Sequence, residues 1–341
     1  MAKNEPKKHH YIPQFILSNF CNENGQLNYW NINDSKLEKR NTLSVFMKKN
    51  MYRDELNHAE NPVIIENQFS YFEDEIARLI NDKILTDSNY IILTRNELEK
   101  LRVFLTLFSF RSSFRMKQYE ENNFDNATRT ILLKYQQDGN FKDLWKKELY
   151  ELTLCRTYED IENNPKIDPI IKQDFLNDYK GYYISFADAR GGEFVLSDIF
   201  PTSELYPLPQ PFGLHLHYLF PISPTRMLIL NHVMFKKESK NILKFADMLK
   251  VSKIKEYIPE PKVKYINSQW IHDPKDEFSY NCIKVYSNDV IYINCLNLNE
   301  ARTGIIFKNK DRIEKSVHNY NLIENIKNNF TDFESNLKQI K

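Results

Sequence analysis

Glycine is scarce in this chain, with 7 residues in 341. Neither GxGxxG nor GxxxxGKS/T occurs, which excludes the nucleotide folds built on those phosphate-cradling loops. The four cysteines, Cys21, Cys155, Cys282 and Cys295, lie far apart and form no CxxC, so there is no zinc ribbon. Their number and spacing fit a reducing compartment. Charge of one sign is also missing. Lys and Arg total 47 against 46 Asp and Glu, a net charge of +1, so no global field draws a polyanion and only a local patch could. No apolar run approaches the ~20 residues a membrane helix needs. The opening residues are polar and carry no signal-peptide pattern. A cytoplasmic protein with no membrane partner is the expectation. No internal repeat and no long linker is visible.

Aromatic residues are plentiful, with 23 Phe and 20 Tyr, which suits a packed globule and argues against disorder. The length allows one large domain or two smaller ones. In "NENGQLNYWNINDSKLEKR" Asn24-Gly25 reads as the turn of a hairpin and "QLNYWNI" as the strand leaving it. Asn61-Pro62 reads as an N-cap and first helical residue. Ile65, Phe69, Phe72, Ile76 and Ile80 then recur at helical spacing along one buried face. Thr94 and Glu97 make a capping box. The helix after them is apolar nearly all round, as central helices are, and is expected to run to about Tyr119. "DNATRTILLKYQQDG" is a third helix with Gly139 as its C-cap, and more helix is expected over 141–180. From Gly181 strands enter: two about Gly191-Gly192, another at "TRMLILNH", with a proline-rich loop over 201–224 between them. Residues 240–258 and those from about 317 read as helical. The fold class is α+β, one domain over 1–341, with a mostly helical part over 1–180 and a mixed part over 181–341.

Several segments, taken together, resemble the family known as domain of unknown function 4238. "HHYIPQFILSNF" is similar to its opening HHY-x-P-x-F-x-L-x-x-F pattern. "MYRDE" followed by "VIIENQFSYFEDEI" resembles its tyrosine and paired-glutamate helix, and "FLTLFSFRSSFR" its arginine-containing helix. "FVLSDIFP" resembles its F-x-x-S-D-x-P segment with one extra residue before Pro201. "FPISPTRMLIL" and "VIYINCLNLNEARTG" resemble its Pro-x-Ser-Pro strand entry and its Asn and Ala helix. The resemblance runs over most of the chain. It points at residues and supplies no chemistry, because the family carries no known activity.

The candidate site residues come from those segments. His9 and His10 are adjacent, so on a strand they face opposite ways, and histidine serves as metal ligand or general base. The competing reading makes one a local cap and leaves the other exposed. Glu66 and Glu73 lie a heptad apart at the edge of the apolar face, with Cα atoms ~10 Å apart along the helix. Arg111 and Arg115, at i and i+4, share a face if their helix is continuous, and a buried arginine must find carboxylate or phosphate. Ser197 and Asp198 end a strand, where Asp198 is either a site carboxylate or a turn former. His215 and His217 alternate in "LHLHY" without an evident third ligand. Lys250, Lys253, Lys255, Lys262 and Lys264 sit among aromatics and make either a nucleic-acid patch or a solvated face.

Two function classes follow. One is a metal-dependent hydrolase, a nuclease or phosphodiesterase of bacterial stress or phage defence. In it His9, His10, Glu73 and Arg111 are catalytic, and His10, Glu66, Glu73 and Asp198 hold a divalent metal ion. Its partner is nucleic acid or a nucleotide. The other is a non-catalytic binding or interaction module of a defence or toxin-type cassette, with a protein partner as the further option. There the same residues form a buried network that fixes the N-terminal strand to the helices. One of His9 and His10 is expected within ~8 Å of Glu66, Glu73 or Arg111, a constellation that a hydrolytic site needs and that an internal salt-bridge network could produce too.

Overall fold

The structure, a computed structural model, describes residues 8–135, 140–207, 213–236, 252–254, 259–323 and 330–339. The chain opens with β1 (Lys8–His10), α1 (Gln14–Ser18), β2 (Leu27–Asn31), β3 (Lys36–Arg40) and β4 (Met47–Lys49). Helix α2 (Ile64–Leu79), β5 (Tyr90–Thr94), α3 (Arg95–Arg111), α4 (Ser113–Glu120), α5 (Asn126–Tyr135), α6 (Phe141–Leu154), α7 (Tyr158–Asn163) and α8 (Pro169–Gly181) follow. The mixed part holds β6 (Tyr182–Arg190), β7 (Leu196–Ser197), β8 (Thr202–Pro207), β9 (Gly213–Pro221), β10 (Arg226–His232), β11 (Lys262–Lys264), β12 (Glu277–Asn281) and β13 (Ile283–Tyr286). It ends with α9 (Ser287–Glu300), β14 (Gly304–Phe307), α10 (Lys310–Asn321) and α11 (Thr331–Gln339). The class is α+β.

The core forms where the periodicity predicts it. Ile65, Phe69, Phe72 and Ile76 of α2 are buried against α3, and Phe72 meets Phe104 edge to face at 5.2 Å. Burying each such side chain contributes ~1.5–3 kcal/mol. The Thr94–Glu97 capping box is formed and opens α3 directly from β5. Helix α3 is buried on several sides, from Leu101 through Phe110, because α2, α6 and α8 all pack around it.

Strands on either side of Gly181 pair with each other. The sheet order β3-β2-β14-β7 joins β2 to β14, and β11-β12-β5 joins β5 to β12. The largest sheet, β13-β6-β10-β9-β8, is antiparallel except where β13 runs parallel to β6. Gly304 of β14 lies under the Tyr29 ring of β2, and a Cβ there would meet Tyr29 Cζ at 2.2 Å. Gly304→Ala is therefore expected to lower stability by ~1–3 kcal/mol through overpacking, read as a lower urea midpoint at unchanged slope.

Several local expectations are corrected. Ser112 has an extended backbone (ψ 151°) and its side chain caps α4, so Arg111 and Arg115 belong to different helices. Asn61 closes a turn onto Ile64 N, and α2 begins at Ile64 rather than at Pro62. The hairpin β2–β3 exists, but residues 32–35 close it, with Ser35 at φ +47°; Gly25 lies in the turn that precedes β2. Strands β6 and β7 flank Gly191-Gly192 in different sheets. Much of the proline-rich 201–224 stretch is strand, because Pro207 and Pro221 stand at strand ends where a missing N–H costs little. The opening segment is extended only over Lys8–His10 and then turns helical at Gln14, burying Ile12 and Leu17. Helix α10 starts at Lys310, earlier than expected. Gly139, and the 240–258 helix apart from residues 252–254, lie outside the described residues.

Candidate functional site

The predicted residues of the first three segments do meet. Strand β1 places both histidines inside. His9 Nδ1 accepts the Tyr52 N–H at 2.8 Å, which leaves its proton on Nε2, and its ring stacks on Tyr52 at 5.6 Å. His10 Nε2 lies 3.1 Å from the Thr42 carbonyl and so carries the proton, while Nδ1 faces the Gln14 amide at 3.4 Å. Burial holds the His10 ring below the usual imidazole pKa, with the Thr42 bond opposing and the Arg111 charge adding to the drop. Neither histidine is exposed, so the reading with one in solvent fails.

Arg111 is 1% exposed and holds the cluster together. Its Nη1 donates to Glu73 Oε1 at 2.6 Å and its Nη2 to the His10 carbonyl at 2.6 Å. The guanidinium lies 4.0 Å from the centre of the Phe69 ring. The Tyr52 hydroxyl donates to the Arg111 carbonyl at 3.0 Å. Burial raises the Glu73 carboxyl, against the pull of Arg111. Glu66 stands beside this pair with a buried Oε2 that has no hydrogen-bond partner. Burial pushes it up to about 8, with Arg111 opposing and Glu73 adding. The cluster ties β1 to α2 and α3, and its arginine has no donor pointing to solvent.

The remaining candidates lie apart from it. Asp198 Oδ1 accepts Arg302 N–H at 2.8 Å, and Oδ2 accepts Thr303 N–H at 3.1 Å and the Thr303 hydroxyl at 2.9 Å, so its carboxylate is spent on the entry to β14. Ser197 Oγ donates to the Ile199 carbonyl. Arg115 donates to Gln118. His215 stacks on Tyr218, whereas His217 sits between Asn231 and Ser252 at 3.0 Å each. Lys253 stands over the Tyr292 ring, and Lys262 and Lys264 are exposed on β11; Lys250 and Lys255 lie outside the described residues. Among the described residues no three His, Cys, Asp or Glu side chains gather where they can hold a metal ion. The set His10, Glu66, Glu73 and Asp198 does not fit one: the Arg111 guanidinium occupies the position on Glu73 that a dication would take.

An open cleft lies elsewhere, and sequence reasoning missed it. Arg95, Glu99 and Arg102, at i, i+4 and i+7, form one face of α3. Tyr158 of α7, Tyr179 and Lys180 of α8, Tyr183 of β6, Lys236 and His272 also line it. The cleft has two adjoining compartments of about 380 and 580 Å³ that share Arg95, Glu99, Tyr158 and His272. The smaller carries more cation than anion. Arg95 is balanced by buried Asp276 at 2.7 Å, Arg102 donates Nη2 to the Tyr179 and Tyr182 carbonyls, and Lys180 is drawn to the Glu162 charge. Among the described residues that line this compartment the one acid is Glu99, whose pKa burial raises against Arg95 and Arg102. Each cation rests on a ring: Arg102 at 4.0 Å from Tyr179, Lys180 at 4.7 Å from Tyr158, Lys236 at 5.7 Å from Tyr183. The larger compartment adds Glu159, Glu162, Thr157 and Asn163. These residues come from five separate stretches, so no local pattern announces them.

Residues 8–311 match the family model described as Protein of unknown function (DUF4238). The chain belongs to this family. No curated protein and no solved structure matches it. Among the described residues no helix is long and apolar enough to cross a membrane.

The segments that carry the DUF4238 resemblance make joints of one kind. In "VIYINCLNLNEARTG" the buried Asn294 accepts Val195 N–H and donates to the Glu193 carbonyl and Ser316, and Asn297 accepts the Thr202 hydroxyl at 2.7 Å. In "FPISPTRMLIL" Ser223 Oγ accepts Arg226 N–H, and the Arg226 guanidinium binds Asp188 and the Ile84 carbonyl. A buried polar side chain must be bonded, and apart from the local Ser223–Arg226 bond these bonds bridge elements far apart in sequence.

Proposed function

We propose that this DUF4238 chain is a binding module for a phosphate-bearing ligand, a nucleotide or a nucleic-acid segment, held in the cleft between α3, α7, α8 and the loop over 265–276. The carrying observation is the pairing of surplus cations with tyrosine faces in an open cleft. Phosphate is attracted to the first and a base ring can stack on the half-buried Tyr158, while the buried Tyr179 and Tyr183 hold their cations in place. The closed His–Glu–Arg cluster offers neither, since Arg111 is spent on Glu73 and His10. Its part in this reading is to fix β1 to the helical core.

The test is calorimetric titration with nucleotides and short oligonucleotides, with and without Mg²⁺, on wild type and on Lys180→Glu plus Lys236→Glu. The doubly reversed variant is expected to bind at least about tenfold more weakly at low salt, with its melting temperature kept, and metal is expected to change nothing. Equal affinity in the variant would overturn the assignment. The hydrolase reading keeps one observation in its favour, the unpartnered Glu66 carboxyl that stays protonated near neutral pH as a general acid does. Turnover of any nucleotide, lost in Glu66→Gln, would favour it over the binding module.

A further inference from the structure

Trp270 is 85% exposed and its neighbour Ile271 57%, with Ile266 and Tyr265 exposed beside them. The loop that carries them is tightly held. The buried Asp276 carboxylate accepts Ile266 N–H at 2.9 Å and Asp273 N–H at 3.2 Å while paired to Arg95. Asn267 bonds Asp273, and Ser268 and Ile271 close the turn on which Trp270 sits, with Trp270 N–H donating to Ser268 Oγ. Nothing in this loop hides the indole, and the bonding keeps it outward. The same loop supplies His272 and Pro274 to the cleft wall. Trp270 is two positions before His272, so their Cα atoms are at most ~7.6 Å apart, and the exposed indole is carried on the loop that forms this edge of the cleft.

We infer that the cleft's ligand is single-stranded nucleic acid, its phosphates at Arg102, Lys180 and Lys236 and one of its bases stacked on Trp270. The inference rests on the cleft reading above and goes beyond it by naming a strand in place of a free nucleotide. A mononucleotide fits the smaller compartment and has no use for a ring at the rim. A strand leaving the cleft passes that ring with an unpaired base, and every base has a face to stack. Duplex DNA has its bases stacked already and cannot use the indole. Two or three phosphate contacts give a modest salt dependence, a slope of log affinity on log salt of about −1.5 to −2 for a single strand. That matches a protein whose net charge is only +1.

The experiment uses the full chain and its intrinsic fluorescence. Trp30 and Trp145 are 1% and 2% exposed, so a ligand-induced change in emission reports Trp270. The probes are a homothymidine oligonucleotide of about ten nucleotides, a length that exceeds the cleft, its duplex with homoadenosine, thymidine monophosphate, and phosphatidylserine-containing vesicles. The single strand is expected to quench the emission, and Trp270→Ala to bind it about 5- to 100-fold more weakly, with Trp270→Phe close to wild type. The substitution is at an exposed position, and unchanged melting confirms the fold. Such a loss supports the inference whatever the monophosphate does. Monophosphate binding that needs Lys180 and Lys236, together with strand binding indifferent to Trp270→Ala, removes this inference and leaves the cleft reading. No binding of strand or monophosphate removes both. An emission shift with vesicles and none with the strand makes the loop a lipid contact and overturns the proposal.

Discussion

Arg111→Ala is expected to cost about 3–5 kcal/mol of folding stability, the range seen when one partner of a buried ion pair is removed. Two acceptors lose their donor at once. Glu73 keeps a carboxylate with its counter-charge gone, and the His10 carbonyl, inside the protein at the end of β1, loses its 2.6 Å bond. The ring beneath the guanidinium, Phe69, loses its contact as well. Arg111→Lys restores charge without the fork that reaches both acceptors, so about half the loss is expected to remain. Arg111→Met with Glu73→Gln removes cation and carboxylate together and is expected to recover part of the loss of the single change. Chemical denaturation at pH 7 measures all three. A single-variant loss under about 1 kcal/mol would show that β1 is held by its apolar neighbours alone. Binding of phosphate ligands in the cleft is expected to survive wherever the variant stays folded, because Arg111 does not line it.

The parts of the fold legible in the sequence are those with a local signature. Helix α2 follows from Ile65, Phe69, Phe72 and Ile76 at helical spacing, and α3 from the Thr94–Glu97 box and an apolar surface too wide for any but a central helix. The meeting of His10, Glu73 and Arg111 was legible for the same reason: each sits at an edge of a buried face, and an arginine there must be answered. The break at Ser112 was not, since serine caps a helix as readily as it tolerates one, and only its extended backbone decides. Asp198 illustrates the wider difficulty. A carboxylate after a strand suits a site or a turn equally, and the choice rests on Arg302 and Thr303, a hundred residues away. The cleft is an extreme case. Arg95, Tyr158, Lys180, Tyr183, Lys236 and His272 are ordinary residues in ordinary surroundings along the chain, and their convergence depends on tertiary packing.

Glu66→Gln is expected to stabilise the protein at alkaline pH and to leave it nearly unchanged in acid. Burial raises this carboxyl from 4.5 to about 8. Below about pH 4.5 the folded and unfolded chains both hold the proton, and the group adds no pH dependence. Between about 4.5 and 8 the unfolded chain releases the proton that the folded chain keeps, so stability falls as pH rises, by at most ~1.4 kcal/mol per unit. Above about 8 both forms are ionised and the slope ends. Because Glu66 is only partly shielded from solvent, the integrated loss is on the order of 2–4 kcal/mol rather than the full product. Glutamine copies the shape of the protonated acid and cannot ionise. The difference between variant and wild type is therefore expected to be within about 0.5 kcal/mol at pH 4.5–5 and to grow toward 2–4 kcal/mol by pH 8.5. Taking the difference matters, because Glu148 and Asp178, raised by burial to about 7 and about 6, tilt both curves in the same direction. Parallel denaturation midpoints for the two proteins from pH 5 to 9 would mean that Glu66 ionises at its ordinary value. Its Oε2 would then have to be answered by water or by a cation reaching in beside Arg111.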